Sequence, residues 1–200
     1  MNTKKIIFIG GAPWTWKTRL AKNISDSKWI FYISCDLIRN WMKSITTKDK
    51  YENLFKFYWT AEEHYKKYSV DETIKMEEKR DWDVLEWVMN FIKLNKDWKS
   101  YVIEWITIQP IFVEKIKNKF ENIKMDFIFL IDQDKDRIRE IIYDRWLWWK
   151  EKWVKELEIE YLIKTNKKYL EELKKNNYNY YIIDKDRNKT ISQIKKDFKI

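Results

Sequence analysis

Residues Gly11 to Thr18 read GAPWTWKT and follow the apolar run KKIIFI. A glycine, four intervening residues and a Lys-Thr pair form the skeleton of a phosphate-binding loop, GxxxxGK[ST], with Trp16 standing where the second glycine belongs. In such a loop successive backbone N–H groups and a helix N-terminus surround phosphate oxygens, which favours residues without a Cβ. Gly11, Ala12, Pro13, Trp14, Thr15, Trp16, Lys17, Thr18 and Arg19 are the candidate nucleotide-binding residues. Lys17 is expected to reach the β- and γ-phosphates, and the Thr18 hydroxyl to bind Mg²⁺. Read with glycine at 14 and 16 the stretch becomes GAPGTGKT, a full match. Read literally, an indole at 16 would occupy phosphate space.

Three further groupings carry chemistry. In SCDLIRNWMK, Asp36 follows an apolar strand and Arg39 lies one helical turn on, so both can face one cleft. Asp36 there can accept the proton of an attacking hydroxyl or hold Mg²⁺, and Arg39 can clamp an anionic acceptor. The plainer alternative makes Asp36 a helix N-cap and Arg39 half of a surface ion pair. In YVIEWITIQP, Glu104 ends a strand, where an acid can serve the metal, a bound water or the acceptor. In QDKDRIREIIYDRWLWWKEKW, Arg137, Arg139 and Arg145 precede a tryptophan-rich segment; Arg145 is the candidate for closing over a transferring phosphate. His64, the sole histidine, lies in the charged run AEEHYKKY and is expected at the surface.

The tryptophans form a pattern of their own. At the usual frequency of about 7% a chain of this length carries about 14 glycines; this one has 2, beside 13 tryptophans. KDWK (Trp98) and RDWD (Trp82) read as Asp-Gly turns, DSKWIFYIS (Trp29) as a helix stop, and DRWLWWKEKW as a glycine-rich loop. Some bacterial lineages decode UGA as glycine and others as tryptophan. Most or all of these tryptophans are therefore expected to be glycines in the source organism.

Forty-one basic and 32 acidic residues leave a net charge of +9. The lysines alternate with acids, the pattern of a solvated surface, although nucleic acid stays open as a partner. One cysteine, Cys35, excludes an intrachain disulfide framework and suits a reducing cytoplasm. No apolar stretch has the length of a membrane span, and no signal peptide is expected.

The elements that must position these residues alternate. Apolar strands are expected at 4–9, 29–34, 100–106, 125–132 and 179–184, with helices between them, the first over 17–26. A long helical stretch over 50–97 breaks near KKYSVDET, where Ser69 can cap a helix with an acidic first turn.

Taken together, these segments resemble the small-molecule kinase branch of the P-loop NTPases. CDLIRNWM looks like the DxIRxxM element of 2-phosphoglycerate kinase-like proteins, and VIEWITIQP, read with glycine at 105, like their EG strand end. Both also resemble segments of zeta-toxin-like and polynucleotide kinase-like proteins. The resemblance covers residues 4 to about 150, and NYYIIDKDRNKTISQIKKDF looks like the last strand and helix, near which such kinases hold the adenine. It implies one α/β domain over 1–200 with a parallel five-stranded sheet of order 2-3-1-4-5, a helical acceptor lobe at about 46–98 and a lid at about 134–153. It also implies transfer of the γ-phosphoryl group of MgATP to a hydroxyl of a small anionic metabolite. Lys17, Asp36 and Arg145 would be catalytic, Thr18 and Asp36 metal-binding, and Arg39 and Glu104 acceptor-binding. The alternatives are a kinase acting on a polynucleotide or nucleotide sugar, or a non-catalytic ATP-binding module if the tryptophans are real.

Overall fold

The computed structural model describes residues 5–57, 60–95, 100–105, 108–144 and 151–199. Five strands, β1 (Lys5–Gly11), β2 (Phe31–Ser34), β3 (Tyr101–Glu104), β4 (Lys124–Ile131) and β5 (Tyr180–Ile182), form one sheet of order β2-β3-β1-β4-β5. Every pairing is parallel, with Ile9 beside Glu104 and Gly11 beside Leu130. Parallel neighbours need crossovers, and the helices supply them: α1 (Lys17–Lys28), α2 (Cys35–Ile45), α3 (Ala61–Tyr65), α4 (Val70–Leu94), α5 (Val113–Lys119), α6 (Lys135–Asp144), α7 (Lys152–Lys175) and α8 (Arg187–Asp197). The fold is the expected one, with strand ends shifted by at most two residues.

β1 is apolar throughout because both of its faces are covered. Ile6 and Phe8 point into a core shared with α2, α4, α5 and α7, where Phe8 stacks on Phe127 at 4.7 Å. Ile7 and Ile9 point the other way, against Leu20, Ala21 and Ile24 of α1 and Ile194 of α8. Gly10 has no room for a side chain, since a Cβ would lie 2.3 Å from the carbonyl oxygen of Ile108.

Ser69 caps α4 as its acidic first turn implies. Its hydroxyl accepts from the Glu72 amide, and the Glu72 carboxylate accepts from the Ser69 amide, a capping box. Two expectations fail in this region. RDWD is not a turn: Trp82 lies within α4, edge-on to Phe112 at 4.5 Å and beneath Lys115. The recurring apolar positions Val84, Leu85, Val88, Met89 and Ile92 extend one buried helical face through that point, and this outweighs the local turn chemistry. His64 is not on the surface either. It is buried, stacked on Phe57 and within 2.9 Å of the Thr73 hydroxyl, because the aromatic residues around it outweigh the charged ones.

Candidate active site

The carboxyl ends of β1, β2 and β3 converge, the place where open parallel sheets bind ligands. Pro13, Trp14, Trp16, Lys17, Thr18, Arg19, Asp36 and Glu104 line a cavity there of about 480 Å³. Each arrives on the end of an element. Gly11, at φ 140°, turns the chain out of β1, and α1 opens at Lys17. β3 delivers Glu104 at its last position, and Asp36 sits in the first turn of α2. Ser34 holds the N-cap position of α2, so Asp36 is not the cap.

Lys17 folds over the loop. Its Nζ donates to the Ala12 carbonyl at 2.5 Å and to the Thr15 hydroxyl at 3.2 Å. Burial lowers the Lys17 pKa to about 8, against the opposing pull of Glu104 and Asp36. A desolvated ammonium gains when an anion enters, against the repulsion of the two nearby carboxylates.

Glu104 is buried and held at both oxygens. The Thr18 hydroxyl donates to Oε1 at 3.1 Å, and the Tyr32 hydroxyl donates to Oε2 at 2.9 Å. Burial, followed by the charge of Glu104 and this hydrogen bond, raises the Tyr32 hydroxyl pKa and keeps it a donor. Sequence reasoning missed Tyr32. The only available signal was a polar-tipped aromatic inside an apolar edge strand, two residues before its end.

Asp36 pairs with Arg39 Nη2 at 3.1 Å, as their spacing predicts. Burial lowers the Arg39 pKa, and so does the neighbouring positive charge of Arg80. Arg80 is a second residue that the sequence did not single out. Buried on α4, it donates to Asp81 Oδ1 through Nε at 3.1 Å and Nη2 at 3.0 Å, and its guanidinium lies 4.5 Å over the ring of Phe57. Gln109 donates to the other Asp81 oxygen at 2.7 Å, and burial raises the Asp81 pKa.

The remaining arginines separate. Arg137 is spent on structure, donating to both oxygens of Asp132 and to the Ile183 carbonyl. Arg139 pairs with Glu156 on the surface at 2.6 Å. Arg145 lies outside the described residues, as do Trp98, Trp146, Trp148 and Trp149.

Trp14, Trp16 and Trp29 all adopt the left-handed backbone region, with φ of 66°, 65° and 54°. Bulky L-residues are outliers there, and glycine is the residue that adopts it without strain. Trp29 is the stop of α1 and is 92% exposed. The indole of Trp16 lines the cavity beside the loop. Its ring is drawn to the guanidiniums of Arg19 and Arg187, 4.4 and 4.5 Å from its centroid, and Trp14 packs against the cluster of α6 and α7.

Among the described residues no group of three or more His, Cys, Asp or Glu side chains could hold a metal unaided. Mg²⁺ does not need one, because it keeps several waters and binds one or two carboxylates plus substrate phosphates. The hard oxygens of Thr18, Asp36 and Glu104 on one cavity wall fit that requirement. No helix among the described residues is long and apolar enough to cross a membrane.

No protein-family model and no curated protein matches this chain. Solved structures do. A sugar kinase from Janibacter sp. HTCC2649 aligns with a TM-score of 0.60 at 13% identity, over 99% of this chain and 95% of that one. Shikimate kinase from Bacteroides thetaiotaomicron aligns at 0.53 and 13% identity, over 98% of each chain. Deoxyadenosine kinase from M. mycoides, solved with dATP bound, aligns at 0.51 and 16% identity, over 98% of this chain and all of that one. The sheet order, the loop after β1 and these likenesses define the fold as that of the P-loop small-molecule kinases.

Proposed function

We propose that the chain is an ATP-dependent phosphotransferase that moves the γ-phosphoryl group to a hydroxyl of a small anionic metabolite, in the manner of 2-phosphoglycerate kinase-like proteins. The observation that carries this reading is the shared cavity of Lys17, Thr18, Asp36 and Glu104. Lys17 stabilises charge on the transferring group, and Asp36 orients or deprotonates the attacking hydroxyl. Arg39, paired to Asp36 and beside Arg80, offers its guanidinium to the acceptor's anion. Arg145 is assigned to closure over the phosphate through its sequence position alone. Thr18 and Asp36 would hold Mg²⁺, which supplies neutralisation of phosphate charge when bound. The contact of Glu104 with Thr18 supports a role at the metal's water shell, nearer to Thr18 than to the acceptor.

The reading includes glycine at 14, 16 and 29 in the working protein, supported by their left-handed backbones. Trp41, Trp82, Trp87 and Trp153 lie within helices, where glycine would cost about 1 kcal/mol each, so backbone conformation lends the swap no support there. Intact mass of the protein from its source counts the tryptophans directly. Function is tested by ATP turnover of the Trp14→Gly, Trp16→Gly protein against phosphorylated and carboxylated alcohols. Transfer that survives Lys17→Ala would overturn the mechanism, and ATP binding without transfer to any acceptor would favour a non-catalytic module.

A further inference from the structure

α4 and α7 pack against each other, and their seam is built differently at its rim and in its interior. At the rim each acid of α4 meets a base of α7: Lys164 donates to Asp71 at 2.9 Å and Lys168 to Glu78 at 2.5 Å. In the interior acids outnumber bases. Arg80 is engaged by Asp81 through Nε and Nη2, and the same Nη2 reaches Glu77 at 3.3 Å. Glu77 also accepts from the Tyr161 hydroxyl of α7. Glu158, one turn before Tyr161, accepts from the Tyr65 hydroxyl of α3 and feels the charge of Glu77, and among the described residues no cation pairs with it. Two carboxylates on facing helices, beside one guanidinium already claimed by a third, are costly to keep ionised together away from water.

We propose that Glu158 and Glu77 make a proton-sensitive seam between α7 and the α3–α4 lobe: a proton on Glu158 lets the lobe hold to α7, and ionisation of both acids loosens it by repulsion. Burial and then the charge of Glu77 raise the Glu158 pKa from its ordinary 4.5 to about 7, against the hydrogen bond from Tyr65. The closed seam therefore keeps a proton that the opened one releases, and closure weakens as pH rises through 7. The other groups that face the pair are His64 and Tyr65 on α3, Arg80 and Asp81 on α4, Glu160, Tyr161 and Tyr169 on α7, and Arg39 on α2. The two arginines keep their charge, and burial lowers the His64 pKa, so His64 stays neutral above pH 6.5. Asp81, also raised by burial, is the one other group here that can titrate in the same window. The seam works whether or not the nucleotide reading holds.

Hydrogen exchange of the full chain at pH 6 and pH 8, corrected for the intrinsic rate, reads the seam without any ligand. Protection of α3 and the first three turns of α4 is expected to fall about tenfold from pH 6 to pH 8 relative to β1 and β4. Glu158→Gln, a neutral carboxyl mimic, is expected to hold that protection level. A wild-type ratio that stays constant, or an equal fall in Glu158→Gln, would overturn the proposal. So would a fall that persists in Glu158→Gln and vanishes in Asp81→Asn, which would move the proton to the partner of Arg80. If Glu158→Gln does not fold, Glu77→Gln carries the test: without the repelling charge the fall should shrink, and an unchanged fall counts against the pair.

Discussion

The Thr18 hydroxyl donates to Glu104 at 3.1 Å, joining residues 86 positions apart in the chain. The contact exists because Ile9 and Glu104 are register partners in neighbouring parallel strands, and Thr18 stands on the first turn of the helix that follows β1. It ties the residue expected to bind metal to a carboxylate whose other oxygen is fixed by Tyr32.

Glu104→Gln keeps the shape of this arrangement and removes its charge. Transfer by the glycine-restored protein is expected to fall at least ~100-fold, the scale of losing one transition-state stabiliser. Tyr32→Phe should leave the fold intact, cost only a few-fold in rate and raise the Mg²⁺ concentration needed for half-maximal rate. Steady-state kinetics across a Mg²⁺ titration check both.

Lys17 makes stability depend on pH. Its folded pKa, about 8, lies below the ordinary lysine value of 10.5, so between these the unfolded chain binds the extra proton. Stability therefore rises with pH across that window, by up to about 3 kcal/mol for this group. Urea unfolding of wild type and Lys17→Met at pH 7.5 and 10 should show the wild type gaining on the variant by that order.

Trp29→Gly and Trp82→Gly should move stability in opposite directions. The first relieves a left-handed backbone at an exposed helix stop and is expected to stabilise by about 1 kcal/mol. The second places glycine inside α4 and removes the contact with Phe112, a loss of about 2 kcal/mol. Chemical denaturation midpoints separate the two.

Asp81→Ala strands Arg80 in the interior with Glu77 as its remaining carboxylate partner and leaves Gln109 unmatched. Breaking a buried charge pair from one side is expected to cost about 3 kcal/mol. Thermal unfolding measures this, and a rise in acceptor KM with unchanged ATP affinity would follow from the loosened neighbourhood of Arg39.

The sequence by itself determined the alternating architecture and the loop from Gly11 to Thr18, while the strand order was implied by the family resemblance of these segments. The architecture and the loop are written in local signals: continuous apolar runs, a glycine turn, and Lys-Thr at the mouth of a helix. The Asp36–Arg39 pair was legible for the same reason, since one helical turn sets its geometry. Trp29 was legible as a helix stop, and the left-handed angles of the three tryptophans share the conformational logic that the missing glycines implied. Tertiary structure alone decided the rest. Tyr32 reaches Glu104 only through the order of the sheet, and Arg80 meets Asp81 and Gln109 only because α4 packs beside the segment after β3. Trp82 was misread because Phe112, the ring it packs on, lies far along the chain, and His64 because the aromatic neighbours Phe57, Tyr65 and Tyr68 that bury it were outweighed in the reading by the charged residues beside it.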